Sequence, residues 1–148
     1  MSIQTNNELA DDRSSLPESI LEHIADAVIY ADRSGTMRRW NRAAASLFGY
    51  SATEALGQNL DLIVPEHLRG RHWRGFETAM TNDVLSLQGR PTLTRAAHKT
   101  GRKLYVEMTF ALVNGDTEGP VIGAVAVARD VTERVEQQRA DAHRDHAG

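Results

Sequence analysis

The stretch "DRSGTMRRWNRAAASLFGYSATEALGQNLDLIVPE", residues 32–66, carries the local signals that decide the fold. Its opening turn, "DRSG", separates the β-rich run "AVIYA" from a second short run, which predicts a hairpin. An alanine-rich helix follows and ends at Gly49. Ser51, with a glutamate three residues later, predicts a capping box on a second short helix that ends at Gly57. A hairpin therefore leads directly into short helices.

The chain before this stretch divides into two parts. Residues 1–14 are polar and aperiodic, which predicts a flexible lead. Ser15 and Glu18 lie at capping-box spacing at the start of a short helix. The apolar residues of that helix are Leu16, Ile20 and Ile24. A helix therefore precedes the first strand.

The second half of the chain indicates strands. Apolar and mostly polar residues alternate from Leu104 to Leu112, which is the period of a strand with one buried face. The turn-rich segment "NGDTEG" then connects to the small-residue strand "VIGAVAVARDV". After Asp130 the sequence becomes helical and polar. This order of elements predicts an α+β domain with an antiparallel sheet and an exit helix.

Composition narrows the classes of protein. The 148 residues have 41% hydrophobic content and fit one domain. The chain has no cysteine, no apolar run of the ~20 residues that a membrane span needs, and no signal-peptide pattern, so we expect a cytoplasmic protein. The net charge of −3 does not favour nucleic-acid binding, although Arg69, Arg71 and Arg74 cluster locally.

The motifs of common enzymes are missing from the sequence. It contains no phosphate-binding glycine loop, nucleophile elbow, metalloprotease helix or catalytic cysteine. Glu107 has no evident acid or base partner. We therefore predict a non-enzymatic protein without catalytic residues.

A histidine interrupts an apolar helical stripe in "PEHLRGRHWRGFETAM", residues 65–80. A helix from about Glu66 to Met80 would place Leu68, His72 and Phe76 on one face. Gly75 would let a flat group approach that helix. His72 is a ligand-binding residue, a switch or a core histidine, and the stripe alone leaves these three interpretations open.

Three segments together resemble the PAS family of sensory modules. The first is residues 32–66, with Asn41, Gly49, Tyr50, Glu54 and Gly57 at the matching positions. The second is "HKTGRKLYVEMTFALV", which contains Gly101 and Glu107. The third is "VAVARDVTERVEQQ", which contains the closing element Asp130, Val131, Thr132, Glu133 and Arg134. The resemblance covers about residues 16–138.

The resemblance implies a five-stranded antiparallel sheet with short helices on one face, a ligand cavity between them, and flanking N- and C-terminal helices. Residues 15–132 would then form the sensor domain, and residues 133–148 the exit helix and a polar tail. Asp130 and Thr132 can cap the exit helix, so a shift of the preceding strand would re-aim it.

Within the family, the string around His72 is similar to that of haem-binding PAS domains of oxygen-sensing kinases. This likeness implies that His72 is the proximal ligand of the iron of haem b, in a signalling module that senses a diatomic gas or redox state. The other implied cofactor contacts are Leu68, Phe76, Leu87, Met108 and Phe110. Thr92 stands where those oxygen sensors place an arginine over the iron.

Two alternatives remain open. Flavin could bind non-covalently, with Trp40, Asn41 and Glu107 offering stacking and hydrogen bonds, although the cysteine of light-sensing relatives is absent. The favoured interpretation is that Trp40 packs between helix and sheet and that Glu107 faces solvent. The domain could instead be a cofactor-free module for protein association. The expected partners are a small ligand or gas, a second copy in a homodimer, and a signalling partner or fused output domain.

Overall fold

The computed structural model describes residues 15–83, 89–116 and 118–147. The predicted flexible lead, residues 1–14, and the predicted cofactor contact Leu87 lie outside these residues. The elements in chain order are α1 (residues 15–23), β1 (Ala27–Asp32), β2 (Met37–Trp40), α2 (Arg42–Phe48), α3 (Ala52–Ala55), α4 (Arg69–Asn82), β3 (Thr92–Ala97), β4 (Lys103–Asn114), β5 (Val121–Asp130) and α5 (Thr132–Ala147).

The five strands form one antiparallel sheet in the order β2-β1-β5-β4-β3. In the centre of the sheet Ala126 pairs with Ile29 of β1 and Phe110 of β4, and Met108 pairs with Thr92 of β3. Because paired residues in a sheet point to the same face, these side chains share the inner face. The predicted α+β class and five-stranded sheet are confirmed.

Short helices cover the inner face of the sheet. The largest fully buried side chains, which form the centre of the core, are Phe48, Ile29, Met37, Leu104 and Val106. The ring of Trp40 also packs there, 5.4 Å from that of Phe48, and its indole NH donates to the carbonyl of Tyr50 at 2.9 Å. The core therefore sits between the hairpin, α2 and the middle of the sheet.

Asn41 joins the N-terminal helix, the hairpin and α2. Its Oδ1 accepts from the backbone NH groups of Val28 and Ala44, at 2.9 and 3.0 Å. Its Nδ2 donates to the carbonyls of Leu21 and Asp26, at 2.9 and 3.0 Å. Asn41 is only 4% exposed, so these bonds satisfy a polar group that would otherwise be costly to bury.

The helix ends predicted from local signals are present. Gly49 ends α2 with φ of 83°, a conformation that favours glycine, and an added Cβ would lie 2.7 Å from the ring of His98. Ser51 and Glu54 form the predicted capping box of α3. Both features depend on neighbouring residues alone, which is why sequence patterns predict them.

The helix predicted from about Glu66 to Met80 is present, but its first residues form a 3₁₀ turn and its end lies two residues later. A 3₁₀ turn spans Glu66–Leu68, and α4 begins at Arg69 and continues to Asn82. Neither Pro65 nor Leu68 provides a side-chain cap, so a tighter turn takes up the first residues. None of the described helices is long and apolar enough to span a membrane, and the cytoplasmic location stays a prediction.

Candidate functional site

A cavity of about 460 Å³ lies between the inner face of the sheet and the helical segment that ends in α4. This volume lies within the range of small-molecule binding sites. The helical side of the lining includes Phe48, Leu60, Ile63, Val64, Leu68, Arg71, His72 and Phe76. The sheet side includes Ile29, Ala31, Thr92, Thr94, Ala96, Met108, Phe110, Ala124 and Ala126.

Small side chains on the sheet keep this space open. Ala124 and Ala126 of β5 and Thr92 and Thr94 of β3 all line the cavity. Of the residues of α4, only Ala79 and Met80 are buried, and neither lines the cavity. The helix therefore stands over the sheet as a wall of the cavity, with few side chains filling the space beneath it.

Five of the predicted cofactor contacts come together in this lining. Leu68, His72 and Phe76 approach from the helical side, while Met108 and Phe110 approach from β4. Thr92, the residue in the position of the sensors' arginine, lines the same cavity from β3. The role of these residues in holding a ligand stays a prediction.

His72 is half-buried among aromatic rings. Its ring centroid lies 6.1 Å from that of Phe76 in a stacked arrangement and 4.9 Å from that of Trp73 in an edge-on arrangement. Its Nδ1 is buried and has no hydrogen-bond partner among the described residues. Nδ1 is therefore a buried polar atom whose desolvation no hydrogen bond from the described residues compensates.

Burial also determines the charge of this imidazole. It lowers the pKa of His72 below its ordinary value of 6.5, and the negative charge of Asp61 raises it in partial compensation. Asp61 also accepts a hydrogen bond from the indole NH of Trp73 at 2.7 Å. At neutral pH, His72 is therefore the neutral base whose lone pair can be donated to a metal.

These residues fit haem on two counts and lack one feature. The lining is mostly apolar, and His72 supplies one nitrogen base in it. Metal-ligating histidines usually donate their second ring NH to an acceptor, and the buried Nδ1 has no such acceptor. Within the described ranges, no three His, Asp or Glu side chains are grouped as they would be around a bare metal ion.

The residues proposed for flavin contacts do not meet in the cavity. Trp40 and Asn41 pack in the core beside the hairpin, and neither lines the cavity. Glu107 lies on the outer face of the sheet and pairs with Arg134 at 3.3 Å. The alternative of flavin contacts from these three residues is therefore wrong, whereas the favoured packing role of Trp40 agrees with its place in the core. Gly75 is exposed and does not line the cavity either, so its predicted role beside a flat group is also wrong.

The structure reveals a docking site for the exit helix that the sequence did not predict. Tyr105, on the outer face of β4, packs in a small buried cluster with Val131 and Val135. The guanidinium of Arg139 lies 4.9 Å from the centroid of the Tyr105 ring, within the distance of a cation–π contact. The outward positions of the β4 alternation are a signal that could have identified this surface.

The predicted Asp-x-Thr element makes contacts on both sides of the helix start. Asp130 Oδ1 accepts from the backbone NH of Thr132 at 2.9 Å, as a helix cap does. The hydroxyl of Thr132 accepts from the backbone NH of Tyr105, also at 2.9 Å. The first turn of α5 is therefore bonded to β4 as well as capped.

Comparisons with known proteins place the chain beside sensory proteins. A family model described as "PAS fold" matches residues 21–136. Sensor protein FixL of Bradyrhizobium diazoefficiens is 30% identical over 120 residues, which are 81% of this chain and 23% of FixL. Oxygen sensor protein DosP of Escherichia coli is 28% identical over 99 residues, which are 67% of this chain and 12% of DosP.

Among solved structures, a PAS domain from Colwellia psychrerythraea matches with a TM-score of 0.66 and 22% identity. The match covers 84% of this chain and 98% of that one. The match therefore takes in nearly all of that PAS domain, and this chain spans less than a quarter of FixL or DosP.

Proposed function

The chain belongs to the PAS fold family, and we propose that it is a sensor domain that binds haem b in its cavity through His72. The observation that carries the proposal is a neutral imidazole without a hydrogen-bond partner in the wall of an apolar cavity. The 30% identity to FixL and the likeness to an oxygen sensor support it. Bound haem would supply an iron centre for a diatomic gas or a redox change.

The residues of this chain have distinct parts in that function. His72 offers Nε2 to the iron, because burial keeps the ring neutral. Phe76, Met108 and Phe110 exclude water from the cavity. Thr92 offers a hydroxyl where the resembling oxygen sensors have a guanidinium, so a gas bound here would lack their charged donor.

The output of the domain runs through α5. β5 forms part of the cavity wall and continues into Asp130, whose carboxylate caps that helix. A shift of β5 would change how α5 rests on Tyr105. Because the chain covers only 12–23% of FixL and DosP, we propose that α5 leads to a fused output domain or a signalling partner.

Visible absorption spectroscopy tests the haem proposal. We expect the purified protein, alone or with added haemin, to show a Soret band that His72→Ala removes or displaces. His67→Ala is the matched control, because His67 is an exposed histidine in the preceding 3₁₀ turn. A wild-type protein that takes up no haemin, or a His72→Ala variant that binds it unchanged, would exclude His72 as the ligand.

A cofactor-free association module is the second candidate, and one observation favours association. Leu16 and Ile20 of α1 and Ile24, which directly follows α1, are 57%, 52% and 37% exposed with respect to the described residues. This spacing places them along one side of the helix, as in helices that pair. We propose that the partner is α1 of a second copy.

Light scattering tests the homodimer independently of haem. We expect Leu16→Glu combined with Ile20→Glu to halve the mass of the particle in solution. Leu56→Glu is the control, because Leu56 is 42% exposed but lies outside α1. A mass that does not respond to the double substitution would rule out α1 as the pairing element.

A further inference from the structure

The turn between β1 and β2 contacts the helix that carries His72. We call residues 33–36 the hairpin turn. Gly35 has φ of +83°, and an added Cβ would lie 2.3 Å from Cη2 of Trp73. The indole therefore packs directly on the backbone of this turn, at a distance that only glycine permits. Trp73 is the neighbour of His72 in α4, so the contact with Gly35 determines how far this part of the helix lies from the hairpin turn.

Arg33 provides a second contact, at the other end of α4. Its guanidinium donates to the carbonyl of Met80 at 2.9 Å and to the carbonyl of Val121. Met80 lies among the last residues of α4, whose carbonyls have no partner within the helix. Val121 is the first residue of β5. One planar cation thus bridges the end of the ligand helix and the start of the output strand.

The hairpin turn is itself held in a fixed shape. The carboxylate of Asp32 accepts from the backbone NH groups of Ser34 and Thr36, at 3.0 and 3.2 Å, and from Arg38 at 2.9 Å. Hydrogen bonds to the ionised form, the one from the Ser34 side chain foremost, lower the pKa of Asp32 to about 2. A turn so constrained passes on a displacement of its neighbours instead of absorbing it.

We propose that the hairpin turn positions α4, with Arg33 and Gly35 fixing where His72 stands and coupling that helix to the start of β5. Arg33 is a positioning residue in this scheme, since it lies outside the cavity lining. The proposal extends the proposed function, because a ligand at His72 would supply the displacement. The positioning itself exists without any ligand and can be tested without one.

Hydrogen exchange of the whole chain without added ligand tests the positioning. Arg33→Gln removes the bridging cation, and we expect about tenfold faster exchange in the last turns of α4 and the first residues of β5, the effect of losing a charged hydrogen bond. Arg39→Gln is the matched control from the same hairpin, because Arg39 pairs at the surface with Glu18 of α1 and not with the hairpin turn. Equal acceleration in the two variants, or acceleration that extends uniformly into β4, would overturn the proposal.

The ring resonances of His72 give a readout that general loss of stability would not move. We expect Arg33→Gln to shift these resonances in NMR spectra at a temperature where the variant is fully folded, and Arg39→Gln to leave them in place. Unmoved His72 resonances in Arg33→Gln would contradict the proposal. Failure of the wild type to take up haemin would contradict the proposed function but not the positioning proposal, because these experiments contain no ligand.

Discussion

Thr132 and Tyr105 are joined by a reciprocal contact in which the backbone NH of Tyr105 donates to the Thr132 hydroxyl at 2.9 Å and that hydroxyl faces the Tyr105 carbonyl at 3.4 Å. The exit helix is thereby attached to β4, the strand that carries Met108 and Phe110 into the cavity. One hydroxyl thus connects the wall of the cavity with the start of the output element.

Replacement of Thr132 by valine should loosen the exit helix. The variant keeps the shape of the side chain but leaves the NH of Tyr105 without its acceptor, which costs about 1–3 kcal/mol. We expect faster hydrogen exchange and faster tryptic cleavage at Arg134 and Arg139, with the sheet intact. Thr132→Ser retains the hydroxyl and should behave like the wild type. Equal protection of α5 in the valine and serine variants would show that the apolar contacts of Tyr105 suffice.

The charge of Asp61 should tune the basicity of His72. Asp61→Asn retains an oxygen that can accept from the indole of Trp73 and removes the negative charge that raises the pKa of His72. Desolvation then acts unopposed, so we expect the pKa of His72 to fall further below 6.5, as measured by NMR titration. Asp116→Asn, at the exposed turn before β5, is the control for a change in net charge alone. A higher pKa in Asp61→Asn would contradict this assignment of the charge.

His72 should make the domain less stable in mild acid. Its pKa in the folded chain lies below 6.5, so the unfolded chain takes up a proton at a higher pH than the folded chain does. The free energy of unfolding therefore falls as the pH drops through 6.5, by more in the wild type than in His72→Gln. Urea unfolding at pH 7.5 and at pH 5.5 measures the difference. Identical pH dependence of the two proteins would show that His72 is not desolvated.

Local patterns predicted the hairpin, the end of α2 at Gly49 and the capping box at Ser51, because each depends on residues a few positions apart. The alternation along β4 likewise placed Met108 and Phe110 on one face. The bridge from Arg33 to Met80 and Val121 was not predictable in this way, because it joins three segments that meet only in the folded chain. Trp40 shows the same limit, since an aromatic side chain gives the same sequence signal whether it packs in a core or stacks on a ligand.

Loss of the side-chain NH donors of Asn41 should lower the free energy of unfolding. Asn41→Asp keeps an oxygen for the NH groups of Val28 and Ala44 and turns a buried negative charge toward the carbonyls of Leu21 and Asp26. We expect a loss of roughly 2–4 kcal/mol in the free energy of unfolding at pH 7, measured in urea.

Asn59→Asp is the matched control for Asn41→Asp. Asn59 caps the 3₁₀ turn at Leu60–Leu62, where its Oδ1 accepts from the NH of Asp61 at 2.6 Å, and its side chain is exposed. An aspartate at that position keeps the acceptor, so we expect a change of less than about 0.5 kcal/mol. Equal losses at the two positions would show that the donor bonds of Asn41 contribute little.

Filling the cavity should separate ligand binding from stability. Ala124→Leu adds three carbons to the sheet side of the cavity, where space exists for them, and burying them stabilises the fold by about 1–2 kcal/mol if they pack without strain. The same carbons occupy room that haem needs. We therefore expect an equal or higher melting temperature together with loss of the Soret band on addition of haemin. Ala111→Leu, on the exposed outer face of β4, should leave haemin uptake unchanged. Undiminished haemin uptake by Ala124→Leu would place the ligand outside this cavity, because Ala124 lines the same space as His72, Met108 and Phe110.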